Sequence, residues 1–236
     1  MRLANILLLL VTLIATVALL AALHRRKLIR RLSLFAALML FYIVRAGVLL
    51  GGVKLWYPAT YLQVESVLSL FDLILQLVLA YWLIRRLTVP RFKSLRFASP
   101  GFLDSAWLRF AAGVVMAGGL TVLLVSLLPG YSPVPLDRAI IFSGLMFLFL
   151  LVLPVRKENI IEGRLLLGFC VVSVANILSQ CGRTLAAAEN DPRLFLIWVY
   201  ANTAVWIGVL VFWILRLQVG SSSSVPVANG TTAMVR

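Results

Sequence analysis

Charged residues are scarce in this sequence. Only 13% of its 236 residues are charged and 62% are hydrophobic, which gives a mean hydropathy of +1.04. A soluble domain would have about a quarter of its residues charged and about half apolar. No polar stretch is long enough to fold as a separate soluble catalytic or nucleic-acid-binding domain. The composition therefore predicts an all-α integral membrane protein that lies almost entirely within the membrane.

Cysteine and histidine are also rare, with two residues and one. Cys170 and Cys181 fall in one predicted helix, roughly 16 Å apart along its axis, which is too far for a disulfide. His24 lies in a basic loop, so a zinc site with several His or Cys ligands is not expected. No nucleophile–histidine arrangement or phosphate-binding glycine loop is recognisable. We therefore expect no enzymatic activity, no catalytic residues, no metal and no cofactor.

The apolar residues form seven runs, each of a length suited to a membrane-spanning helix. The runs cover residues 3–23, 32–53, 61–84, 107–128, 138–155, 165–185 and 194–215.

Basic residues outnumber acidic ones by 22 to 8. They cluster in short loops beside the apolar runs, which favours the positive-inside rule over nucleic-acid binding. With the N-terminus outside and the C-terminus in the cytoplasm, fifteen basic residues are cytoplasmic and five are external. We predict this orientation in a bacterial inner membrane, with one domain over 1–216 and a disordered cytoplasmic tail over 217–236.

Polar side chains interrupt the third run at regular intervals. Glu65, Ser69, Asp72 and Gln76 follow the spacing i, i+4, i+7, i+11, so they share one face of a helix. Carboxylates in hydrocarbon are costly, and this face is expected to line a protein interior or a water-filled cavity. The second run contains Arg45 at a similar depth, and a short turn joins the two helices. We expect Arg45 to pair with the carboxylates.

The sixth and seventh runs carry further polar residues, among them Ser173 and Arg183 beside the predicted ligand-binding ones. We predict a pocket between helices 2, 3, 6 and 7 that is open toward the outside. A buried, mutually satisfied network that only fixes helix packing is the alternative. The predicted ligand-binding residues are Arg45, Glu65, Asp72, Gln76, Asn176, Gln180 and Asn202.

Small residues predict two places where helices approach closely. Gly47 and Gly51 would allow this in helix 2, and Gly113 and Ala117 form a small-xxx-small face on helix 4.

Shifting the chain by 131 residues superposes helices 1–3 on helices 5–7. Residues 78–85 (VLAYWLIR) then fall on residues 209–216 (VLVFWILR), and Arg45 falls on Asn176. Both triplets have the same orientation, so helix 4 would link a parallel 3+1+3 repeat. A chance match of two leucine-rich bundles is the other interpretation. The plan resembles that of the seven-helix sugar transporters called SWEETs, in which a pocket asparagine is similar in type and depth to Asn202, whereas helix 3 here offers Asp72.

The predicted function is to bind a small polar solute, and in one version of the hypothesis to translocate it. A sensor or receptor, and a scaffold or accessory subunit of a larger membrane complex, are the alternatives. Expected partners are the solute, anionic lipids of the inner leaflet and either another membrane protein or a second copy of the chain. The lipid contact is predicted from Arg91, Lys93 and Arg96, which alternate with apolar residues.

Overall fold

The computed structural model describes residues 2–55, 58–88, 105–127, 135–153 and 159–217. These ranges contain seven α-helices. They are α1 (Arg2–Arg25), α2 (Ser33–Leu55), α3 (Pro58–Leu87), α4 (Ala106–Leu127), α5 (Pro135–Val152), α6 (Ile160–Ala188) and α7 (Pro192–Arg216). Five of them, α1, α3, α4, α6 and α7, are long and apolar enough to cross a membrane. The fold is compatible with an integral membrane protein.

Most helix boundaries lie within three residues of those predicted from the apolar runs. The largest difference is at α6, which begins at Ile160 rather than near residue 165. Glu162 is therefore in the first turn of a helix, where a negative charge interacts favourably with the helix dipole. The predicted lipid-binding stretch at 91–96, the tail beyond Leu217 and the inner end of helix 5 at 154–155 lie outside the described residues.

The turn between α6 and α7 follows from its local sequence. Asn190 has a positive φ of 55°, a conformation that asparagine tolerates well. The Asp191 N–H donates to the Ala186 carbonyl oxygen at 2.9 Å, which closes the end of α6. The Asp191 carboxylate then accepts from the N–H groups of Arg193 and Leu194. Pro192 at the first helical position completes a well-defined start for α7.

Six helices form a closed ring. Neighbours in the ring are α1 and α2, α2 and α3, α3 and α5, α5 and α6, α6 and α7, and α7 and α1. Helix α4 packs outside the ring against α3 and α5. Gly113 and Ala117, the small residues predicted on α4, are buried. A Cβ at Gly113 would lie 2.8 Å from the Phe149 ring of α5, so the predicted close approach of α4 is confirmed.

The prediction for Gly47 is wrong, since a Cβ added there would meet no atom within 4 Å. The surroundings of Gly51 lie outside what the structure describes. Close approaches of this kind occur instead on α6, where Gly168 lies against the Trp213 ring and Gly182 against the Trp198 ring.

Apolar burial is concentrated at one end of the ring, where α1, α3 and α7 end and α6 begins. Leu83 and Leu87 of α3, Leu165 of α6 and Trp213 of α7 are completely buried there. The basic residues at the ends of these helices surround the same region, so the packed end is also the basic end. A cavity occupies the other half of the ring.

Candidate functional site

The cavity has a volume of about 540 Å³ and lies between all six helices of the ring. This is within the range of roughly 300–1,000 Å³ found for small-molecule sites. Its walls are largely apolar, with polar groups from every helix. The polar lining residues are Thr12, Thr16, Tyr42, Arg45, Ser69, Asp72, Gln76, Ser143, Ser173, Asn176, Tyr200, Asn202 and Thr203.

An ion pair between α2 and α3 forms one wall. Arg45 Nη1 lies 3.0 Å from Asp72 Oδ2, and Arg45 Nη2 donates to Ser69 Oγ at 3.2 Å. The other carboxylate oxygen, Oδ1, accepts from Gln76 Nε2 at 2.9 Å, and the same amide nitrogen lies 3.2 Å from the Tyr42 hydroxyl oxygen. The Arg45 and Asp72 side chains are 21% and 16% exposed, so both charges are largely removed from solvent yet reach the cavity.

The structure brings five of the seven predicted ligand-binding residues to one cavity. Arg45, Asp72 and Gln76 form the charged wall, and Asn176 and Asn202 lie in the part of the lining contributed by α6 and α7. The indole of Trp206, one turn beyond Asn202, also lines the cavity and packs edge-on against Tyr42 with ring centroids 5.6 Å apart.

Glu65 and Gln180 are not part of the described lining. Glu65 lies two helical turns before Asp72, and its backbone carbonyl accepts from Ser69 Oγ at 2.8 Å. Gln180 is buried, and its Nε2 donates to Asp137 Oδ1 on α5 at 2.8 Å. Gln180 therefore links α6 to α5 rather than lining the cavity. Among the described residues Arg45 pairs with Asp72 and not with Glu65, so the predicted pairing holds for one of the two carboxylates.

Sequence reasoning missed the contribution of α1 and α5. Thr12 and Thr16 on α1 and Ser143 on α5 place hydroxyls at the cavity. Each hydroxyl donates to a carbonyl of its own helix, as Thr12 Oγ1 does to the Leu8 carbonyl oxygen at 2.9 Å. Thr12 and Thr16 share one face of α1 at the spacing i, i+4. Hydroxyls that bond to their own helix are common in apolar helices, so this spacing alone did not indicate a site.

An aromatic cluster closes the cavity toward the basic end. Phe147 and Phe169 line the cavity and stack with ring centroids 4.6 Å apart. Behind them, Phe35 and Trp213 are fully buried and meet edge-on at 4.9 Å. The Trp213 indole N–H donates to the Arg164 carbonyl oxygen at 3.3 Å, which satisfies its one donor.

Beyond the aromatic cluster, one carboxylate holds two arginines from distant parts of the chain. Arg31, between α1 and α2, donates to both oxygens of Glu162 at 2.9 and 2.8 Å. Arg86 at the end of α3 donates to Glu162 Oε1 at 3.2 Å. The Glu162 side chain is only 1% exposed, whereas both arginines are 43% exposed. The bond to Glu162 raises the pKa of the Arg31 guanidinium.

Comparison with known protein families, curated proteins and solved structures finds no match to this chain. Its function must therefore be argued from the cavity and the two charged clusters.

Proposed function

We propose that this protein binds a small polar solute in the central cavity and translocates it across a bacterial inner membrane. The observation that carries this proposal is the position of the Arg45–Asp72 pair. It lies on the wall of a cavity of about 540 Å³, with amide and hydroxyl groups from the other helices around the same space. Ionisable residues in membrane segments are functional by default because they are costly to bury.

The arrangement of the lining supports a parallel repeat and hence a transporter. Helix α1 contributes residues 8, 9, 12, 13 and 16, and α5 contributes 139, 140, 143, 144 and 147, each at the same offset of 131. The match is partial for the other helices: the offset relates two of the four lining residues of α2 to α6 and two of the four of α3 to α7. The ring contacts repeat as well, since each neighbour pair has its counterpart under exchange of the two triplets. Transporters built from such repeats place their substrate between the repeats.

The charges support an orientation with the basic end in the cytoplasm. The ends of α1, α3 and α7 and the start of α6 all carry arginine, and the cavity lies in the opposite half of the ring. Positive residues accumulate on the cytoplasmic side of membrane proteins. This orientation places the start of α1 outside and the end of α7 in the cytoplasm, and the cavity then faces the outside.

Cysteine accessibility tests the proposal. In a background with Cys170→Ala and Cys181→Ser, Thr203→Cys places a thiol in the cavity, and a membrane-impermeant thiol reagent is applied from outside. Leu210→Cys is the matched control because residue 210 lies on the same face of α7, about 10 Å farther toward the basic end, and is fully buried. We expect rapid labelling at 203 and none at 210. A folded protein that resists labelling at both positions contradicts the proposal.

Flux in proteoliposomes then separates translocation from the alternatives. If the protein is a transporter, solute crosses the membrane. If it is a receptor, solute protects the thiol at 203 from the reagent but does not cross. If it is a scaffold, neither effect is seen. Translocation also requires the aromatic cluster and the Glu162 cluster to separate. In the Leu210→Cys control, the thiol should then react with reagent applied from the basic side while solute is being transported.

A further inference from the structure

The two halves of the cavity differ in charge. At the offset of 131, Arg45 corresponds to Asn176 and Asp72 to Thr203, and all four residues line the cavity. Asn176 and Thr203 are uncharged and occupy equivalent places in a well-packed helix pair, α6 and α7. A neutral pair is therefore sufficient for packing at this level. The charged pair in the first half needs another explanation.

A partly buried ion pair is a poor choice for stability alone. Removing two charges from water costs as much as their attraction returns in many proteins, and apolar or neutral pairs pack as well. The cost is acceptable where the charges meet a ligand. Resting on the proposed function, we propose that the solute is a zwitterion, with its anionic group on Arg45 and its cationic group on Asp72.

Three features of the cavity fit this class. Among its described lining residues, Arg45 and Asp72 carry the charges, one of each sign, so a solute with net charge would leave an unbalanced charge in a poorly solvated space. Arg45 Nη1 and Asp72 Oδ2 are 3.0 Å apart. This spacing suits a solute whose opposite charges are close together, as in an α-amino acid, where the ammonium and carboxylate groups are bonded to the same carbon. The lining also contains Leu9, Leu13 and Val199, which suit an apolar remainder.

A set of four solutes tests the charge requirement. The reporter is the rate at which the thiol of Thr203→Cys reacts, and the probes are leucine (zwitterion), leucinamide (cation), N-acetylleucine (anion) and glucose (uncharged). We expect leucine to protect the thiol at concentrations about 10- to 100-fold lower than the others, the range for losing one hydrogen bond to a charged group.

The outcomes are distinguishable. Equal protection by leucinamide or by N-acetylleucine overturns the proposal, because one charge would then be enough. Protection by glucose overturns it too, but leaves solute binding in place. No protection by any of the four also overturns it, while the reactivity of the thiol itself reports separately on whether the cavity is a water-accessible site.

A double substitution, Arg45→Asn with Asp72→Thr, provides a second test in the same reporter background. It copies the residues at 176 and 203, so the fold has a precedent for it within the chain. We expect a folded protein in which the preference for leucine over leucinamide and N-acetylleucine is lost. Retention of the preference contradicts the proposal. The solute panel on the parent pair remains decisive if this variant does not fold.

Discussion

The two charged clusters of this protein differ in what they connect. The Arg45–Asp72 pair joins two helices that are adjacent in the chain, and both side chains reach the cavity. The Glu162 cluster joins the α1–α2 connection, the end of α3 and the start of α6, and its carboxylate is almost completely buried. The first arrangement presents charge to the cavity, whereas the second links α3, α6 and the α1–α2 connection at the basic end. The same residue types therefore have different roles because of their burial and partners.

The largest expected effect is the loss of the buried carboxylate. Glu162→Gln removes the negative charge that both Arg31 and Arg86 contact. Because both arginines remain partly exposed, we expect the free energy of unfolding to fall by about 2–3 kcal/mol, which lies in the range for hydrogen bonds to a charged group. Thermal denaturation in detergent measures this. Glu189→Gln at the exposed end of the same helix is the control, with an expected change within about 0.5 kcal/mol. Similar effects at both positions would show that the cluster does not lock the basic end.

The second-largest effect on stability is expected from the packing of the basic end, where the aromatic cluster closes the cavity. A Cβ at Gly168 would collide with the rigid Trp213 ring, so Gly168→Ala is expected to cost about 1–3 kcal/mol. Gly163→Ala is the matched control on the same helix, since nothing lies within 4 Å of its added Cβ, and it should stabilise by up to about 1 kcal/mol. Denaturant unfolding of both variants provides the comparison. A Gly168→Ala protein as stable as the parent would mean that the Trp213 indole can move aside and that the packing at the basic end is not rigid.

The smallest effect is expected at the cavity. A double-mutant cycle with Arg45→Asn and Asp72→Thr should give a coupling energy of about 1 kcal/mol, because the pair is only partly buried and its atoms have other partners. The double variant should lose less stability than the sum of the losses of the two single variants. The stabilities of all four proteins measure the coupling. A coupling as large as the effect of Glu162→Gln would assign the pair to packing and remove the contrast between the clusters.

Much of the fold could be predicted from the sequence because long apolar runs determine where helices begin and end. The Arg45–Asp72 pair was predictable for a local reason: a short turn brings residues at matching depths on consecutive helices together. The start of α6 was placed wrongly because Glu162 and Arg164 look like loop residues until their partners are known.

The remaining parts depend on contacts that a one-dimensional pattern does not contain. Glu162 meets Arg86 across 76 residues, and no helical spacing links such positions. It also meets Arg31 across 131 residues; this is the offset of the proposed repeat, but an offset alone does not say which equivalent residues touch. Gln180 belongs to a regular polar stripe but bonds to Asp137 on α5, since rotation of a helix by a fraction of a turn decides which neighbour its side chain meets. The site residues on α1 had no charge to distinguish them from other helical hydroxyls.

The Arg31–Glu162 contact has a consequence for assembly. These residues are 131 positions apart, which is the offset between the proposed triplets, and yet their side chains touch. Two equivalent positions meet only where an axis relating the triplets passes between them. A dimer of two identical triplets would place identical side chains there, two arginines or two glutamates, and like charges would repel. A single chain with two non-identical halves, as the proposed repeat has, can instead place opposite charges at the axis that relates the halves.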